Sequence, residues 1–126
     1  MAVTATPANA AYNCGSNQVC LYKNSDFTGS VFILPQITNS YGVKIFCAPD
    51  LAQNKYTDGT SVNNSVSSVV NNSNSVIFLA DYRGPGGKHT GISGGSRLWN
   101  LDSVQTFDSS GKQTYESFND RASYAC

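Results

Sequence analysis

Glutamate, methionine and histidine each occur once in these 126 residues, as Glu116, Met1 and His89. With so few helix formers and so much serine, asparagine and glycine, the composition favours turns over helices and points to an all-β domain. One histidine and one glutamate also leave few tuned acid–base pairs, so the chain is not expected to be an enzyme. Charge of one sign is missing as well: eight basic residues balance eight acidic ones, and neither gathers into a run. This argues against a nucleic-acid surface and against a polybasic membrane anchor. No apolar run approaches the roughly 20 residues needed to span a bilayer. Finally, there is no Cys-x-x-Cys, and His89 has no cysteine near it, so a zinc site is not indicated.

What is present begins with four cysteines, which in a chain this short fit disulfides in an oxidising compartment and allow three pairings. The N-terminus agrees with secretion. Ala8-Asn9-Ala10 is a small-x-small triplet of the kind that closes a signal peptide, although the apolar run that should precede it is absent. Residues 1–13 are therefore read as a signal-peptide remnant and leader behind an added methionine, with a plain disordered leader as the alternative. The remaining 14–126 is long enough to bury one core and is expected to be a single domain and a monomer.

Along that domain, Val19 to Tyr22 and Val31 to Leu34 are strand-like and flank a polar turn ending in Gly29, which predicts a hairpin. Gly42–Cys47 and Val66–Val70 are the next two strands, separated by an irregular stretch in which Pro49–Gln53 could form one short helical turn. After the polar connector Asn71–Ser75, strands are expected at Val76–Leu79, Arg97–Trp99, Val104–Phe107 and from Tyr115 to the end. The sum is about eight strands in two sets of four. Two antiparallel sheets packed face to face with Greek-key connections would bury both sets together.

Two stretches repeat without a gap: Ser61-Val-Asn-Asn-Ser-Val-Ser67 and Ser117-Phe-Asn-Asp-Arg-Ala-Ser123. Upstream of the first, Tyr22-Lys-Asn-Ser-Asp-Phe27-Thr-Gly29 has a shortened counterpart in Phe78-Leu-Ala-Asp-Tyr82-Arg-Gly84. A two-copy repeat of this period means two similar supersecondary units, 14–72 and 73–126, sharing one core.

These residues carry a resemblance. Tyr22-x4-Phe27-x-Gly29 resembles the aromatic-x4-aromatic-x-Gly hairpin of the βγ-crystallin-like superfamily, and Asn63-Asn-Ser-Val-Ser-Ser68 matches that family's (Asn/Asp)-(Asn/Asp)-x-x-(Ser/Thr)-Ser calcium motif. Asn119-Asp-Arg-Ala-Ser-Tyr124 matches it except at Tyr124. Cys14-x5-Cys20-Leu-Tyr resembles the start of secreted microbial members of peptidase inhibitor family I36. The resemblance implies a βγ-crystallin-like sandwich built from two Greek keys, in which the paired motifs exchange oxygen ligands around Ca2+. It nominates the side chains of Asn63, Asn64, Ser67, Asn119, Asp120 and Ser123, and the carbonyls of Lys23, Ser65 and Arg121. Ser68 is expected to hold the loop by hydrogen bonds. Of these side chains only Asp120 is anionic, so weak binding is expected, in the roughly 10⁻⁴–10⁻³ M range of extracellular modules. The crystallin arrangement further implies a bridge from Cys47 to Cys126, with Cys14 and Cys20 closing a small loop ahead of the first strand.

The resemblance also implies a partner, an extracellular protease blocked by a rigid loop, for which 48–60 and 84–96 are the candidate segments. An antimicrobial or killer-toxin-like effector and a passive calcium-stabilised structural protein are the competing functions. Other constellations are bland. Gly84-Pro-Gly-Gly-Lys-His-Thr90 lacks the spacing and context of a phosphate loop, and His89 is expected to be an exposed loop histidine. Trp99 reads as core, with a carbohydrate site on Trp99 and Tyr115 as the minor alternative. Asn63 and Asn71 each open an N-glycosylation sequon, relevant only in a eukaryotic secretory route.

Overall fold

Short β-branched and aromatic runs, punctuated by turn residues, pair into eleven strands among residues 12–81 and 87–126, the part described by the computed structural model. The first unit contributes β1 (Val19–Asn24), β2 (Thr28–Ile33), β3 (Gln36–Thr38), β4 (Lys44–Phe46) and β5 (Ser68–Asn71). The second contributes β6 (Ile77–Ala80), β7 (His89–Ile92), β8 (Arg97–Leu98), β9 (Val104–Phe107), β10 (Gln113–Glu116) and β11 (Tyr124–Ala125). A single 3-10 turn, Leu51–Gln53, is capped by the Asp50 carboxylate, which accepts from Ala52 N at 3.1 Å.

The strand count exceeds the expected eight because β3, β7 and β11 carry weak signals. Gln-Ile-Thr is too short, and His-Thr-Gly-Ile contains a glycine. The strand expected from Tyr115 onwards is two strands: β10 pairs only with β9, and β11 closes the second unit.

Two antiparallel sheets result, ordered β2-β1-β5-β8 and β10-β9-β7-β6-β11, beside the separate β3–β4 hairpin. β8 of the second unit joins the first unit's sheet, with Val69 opposite Leu98. The reverse exchange is made by Ala48, whose N–H and carbonyl both bond Ala125 at 2.7 and 3.1 Å. Each unit therefore completes the other's sheet.

The main core lies between the sheets and contains Val19, Leu21 and Val69 from one and Ile77, Leu79, Ile92 and Val104 from the other. β1 is apolar on both faces because Cys20 and Tyr22, pointing the opposite way, join a second cluster with Val31 and Val70, covered by Cys14 and Phe27. Disulfides Cys14–Cys20 and Cys47–Cys126 are both present, the second linking the C-terminus to the first unit.

Candidate functional site

Each repeated motif builds the same loop. The apolar positions Val62, Val66, Phe118 and Ala122 are buried in the main core and anchor the loops at both ends. Between them, Ser61 Oγ accepts from Asn63 N at 3.2 Å, and Ser117 Oγ accepts from Asn119 N at 3.3 Å. The next residues, Asn64 and Asp120, take left-handed φ values of 56° and 58°, a conformation that short Asn and Asp side chains tolerate better than other residues with a side chain. Their successors close the turns, with Ser65 N donating to Val62 O and Arg121 N to Phe118 O, both at 3.3 Å. Asn or Asp at the second motif position is thus favoured by the local backbone before any ligand is considered.

The two loops then lie side by side and bond reciprocally. Asn64 N donates to Ala122 O at 2.9 Å and Asp120 N to Val66 O at 3.1 Å. Ser67 Oγ donates to Asp120 Oδ1 at 3.3 Å, and Ser123 Oγ donates to Asn64 Oδ1 at 3.0 Å. Two pairs of side-chain oxygens follow, each drawn from both units. Asn63 and Asn119 sit at the loop entrances, where Asn119 Nδ2 reaches Asp120 Oδ2 at 3.5 Å.

Hairpin backbone is bonded next to each pair. Ser67 N donates to Tyr22 O at 2.9 Å, which sets Lys23 beside the Ser67–Asp120 pair. Lys23's own ammonium is engaged by Asp58 at 3.3 Å and Thr60 at 3.1 Å. Ser68 holds the same hairpin, its Oγ donating to Asn24 O at 2.6 Å and accepting from Phe27 N at 3.0 Å. There the Phe27 ring meets Tyr22 edge-on at 6.0 Å, and Gly29 takes a φ of +77°.

In the second unit Ser123 N donates to Ala80 O at 2.8 Å, so Ala80, not Phe78, occupies the place of Tyr22. The strand register agrees: Ala80 faces His89 as Tyr22 faces Val31, the same nine-residue span. This corrects the shortened alignment and puts Asp81 where Lys23 stands, a residue the sequence reading missed. The signal lay in the constant spacing of the flanking strands. Tyr82 and Gly84, on which that alignment rested, lie outside the described residues. Tyr124 fills Ser68's place opposite Ala80.

Charge around the loops is organised by Arg121. Its guanidinium donates to Asp81 Oδ2 at 2.7 Å, Glu116 Oε1 at 2.9 Å and Ser117 O at 2.7 Å. Lys88 adds a contact to Glu116 at 3.2 Å. The Thr114 hydroxyl, then Arg121 and Lys88, hold the Glu116 carboxyl down at about 2. Lys23, Lys88 and Arg121 are thus each paired with another carboxylate, which leaves the Asp120 carboxylate as the anion facing Ser67. Among the described residues no three His, Cys, Asp or Glu side chains converge. The donors are hard neutral oxygens with one carboxylate, a set that fits calcium and not a thiophilic metal.

Several surrounding expectations change. Residues 89–92 of the proposed segment 84–96 are β7, with Thr90 and Ile92 buried, so they belong to the sheet; 93–96 are exposed, and 84–86 lie outside the described residues. His89 is no exposed loop residue but half-buried, edge-on to Phe78 at 5.7 Å and stacked on Phe107 at 5.8 Å. Trp99 is exposed, because two-residue β8 ends at Leu98 and its successor turns outward. Asn71 is buried, its amide bonding Ser75 O, Ile92 O and Ser73, so its sequon is closed in the folded protein.

No helix among the described residues is long and apolar enough to cross a membrane. Comparison with known families matches the model of peptidase inhibitor family I36 to residues 7–93, more than half of the chain. No curated protein and no solved structure matches.

Proposed function

Because the chain belongs to peptidase inhibitor family I36, we propose that it is a secreted inhibitor of an extracellular peptidase, with a scaffold stiffened by calcium between its two Asn–Ser loops. The calcium reading is carried by the reciprocal pairs Ser67–Asp120 and Ser123–Asn64. Two disulfides in a small domain are consistent with an extracellular setting.

Ser67, Asp120 and the backbone at Lys23 and Arg121 would hold one ion; Ser123, Asn64 and the backbone at Asp81 and Ser65 would hold the other. The first set has the carboxylate and is the stronger. Bound calcium would supply cross-links between the loops through hard oxygen ligands. Occupancy at a few times Kd is worth about 1 kcal/mol per site, because binding to the folded state alone shifts the folding equilibrium by mass action.

Inhibition needs a surface that does not rearrange on docking, since ordering a loop costs binding free energy. Within the candidate segment 48–60, Leu51 and Tyr56 are buried while 57–60 stay exposed in a turn tied to Val31 and Lys23. Asp58 Oδ1 accepts from Thr60 N at 2.9 Å, and Gly59 N donates to Tyr56 O at 2.9 Å.

Melting with and without millimolar calcium tests the scaffold. The wild type is expected to gain about 4 °C for each occupied site and Asp120→Ala to lose the share of the carboxylate-bearing site; equal shifts in both proteins would remove that site. Titration of a thermolysin-like enzyme tests the partner, and no inhibition at micromolar protein would remove the inhibitor reading.

A further inference from the structure

The β3–β4 hairpin has no counterpart in the second Greek key. There β7 passes to β8 through residues 93–96 alone, whereas in the first unit residues 34–47 intervene between β2 and the Ala48 bridge. Phe46 anchors the base of this hairpin in the main core, and beyond that base its tip is firmly tied. Asn39 N donates to Val43 O at 2.8 Å and Gly42 N to Asn39 O at 3.0 Å. The Asn39 side chain accepts from Tyr41 N at 2.9 Å and from Val43 N at 3.0 Å. Gly42 takes a φ of +78°, which glycine adopts without steric cost.

On this locked turn Tyr41 is 89 % exposed, more than any other large apolar side chain described. Val43 and Ile37 are exposed behind it, and Ile37 sits opposite Ile45 across the hairpin. From Ile45 the apolar surface continues into a groove of about 260 Å³ lined also by Phe46, Val76 and Phe78.

We infer that Tyr41 is the anchor that enters the primary specificity pocket of the target peptidase, a pocket that takes a large apolar side chain, while Val43 and Ile37 pack against its rim. The inference rests on the inhibitor reading and names its contact. Tyrosine on a rigid turn offers a large contact area with only two side-chain torsions to freeze, the property that enriches it among binding hot spots. The same hydrogen bonds keep the backbone in a closed turn, with Tyr41 N held by Asn39. The chain around Tyr41 therefore does not lie extended along a cleft as a substrate does, and the side chain plugs the pocket without offering a bond for cleavage.

The test measures inhibition constants of the full chain against a thermolysin-like enzyme and chymotrypsin, both with apolar pockets, and against trypsin. Tyr41→Ala is expected to weaken inhibition of an apolar-pocket enzyme about 100-fold. Tyr41→Lys should move inhibition towards trypsin, and Trp99→Ala should leave it unchanged. Both tyrosine variants should melt with the wild type, since the side chain stands in solvent. Undiminished inhibition by Tyr41→Ala overturns this inference and leaves the inhibitor reading standing; no inhibition by the wild type overturns both. A dimer that Tyr41→Ala dissolves, without inhibition, would assign the stripe to a second copy and also overturn it.

Discussion

At the scale of single residues, position 121 separates the two loops more than any other. Ser65 and Arg121 both reach back to the serine that opens their motif, Ser65 Oγ to Ser61 O at 3.0 Å and Arg121 to Ser117 O at 2.7 Å. Arg121 goes further and gathers Asp81 and Glu116 around the second loop. Glu116 has its folded pKa lowered from 4.5 to about 2, so its stabilisation is complete above the unfolded value and is lost as pH falls through the folded one. Wild type should therefore melt above Glu116→Gln at pH 6, with the gap closing between pH 4.5 and about 2. A gap that stays constant to pH 2 would show that the network does not act through this carboxylate. Asp81 was missed at this scale because an aromatic at Tyr82 suggested the wrong register, and side-chain type outweighed strand spacing.

At the scale of elements, β11 is the part on which the second loop depends. It follows Ser123 directly, pairs with β6 for two residues, and is held by Ala48 and by the Cys47–Cys126 bridge. Two residues of ladder are too few to pin a strand alone, so the covalent link supplies what the pairing lacks. The cysteines are 79 residues apart, and closing so long a loop is worth about 4 kcal/mol in the chain-entropy model. The double variant Cys47→Ser, Cys126→Ser is expected to lose about that much in denaturant unfolding. On the calcium proposal it should also bind the ion more weakly than the wild type, because Ser123 loses its fixed neighbour. Unchanged calcium affinity would show that the loop holds its shape without β11. The β1–β2 hairpin, by contrast, was legible in advance, since Tyr22, Phe27 and Gly29 specify their turn within eight residues.

At the scale of the whole molecule, the exchange of third strands makes the two units inseparable. The first unit's sheet ends on β8 from the second, and Ala48 returns the contact to β11. Val69, Ile77, Leu79 and Ile92 share one buried cluster across the exchange. An isolated 14–72 fragment would expose that face and leave β5 as a bare edge. It is expected to show no cooperative unfolding transition, whereas 12–126 should unfold in one step; a folded, cooperative 14–72 would refute mutual completion.

What the chain settles by itself is local. Left-handed Asn64 and Asp120, the glycine turn at Gly29, the capped 3-10 turn at Asp50 and the all-β character follow from sterics and hydrogen bonds acting over a few residues. Only the tertiary structure decided which oxygens of the two loops face each other, that Ala80 and not Phe78 stands in Tyr22's place, and that the sequon at Asn71 is buried. Those outcomes depend on strand partners dozens of residues away, whose register is chosen by the shared core and by no single segment.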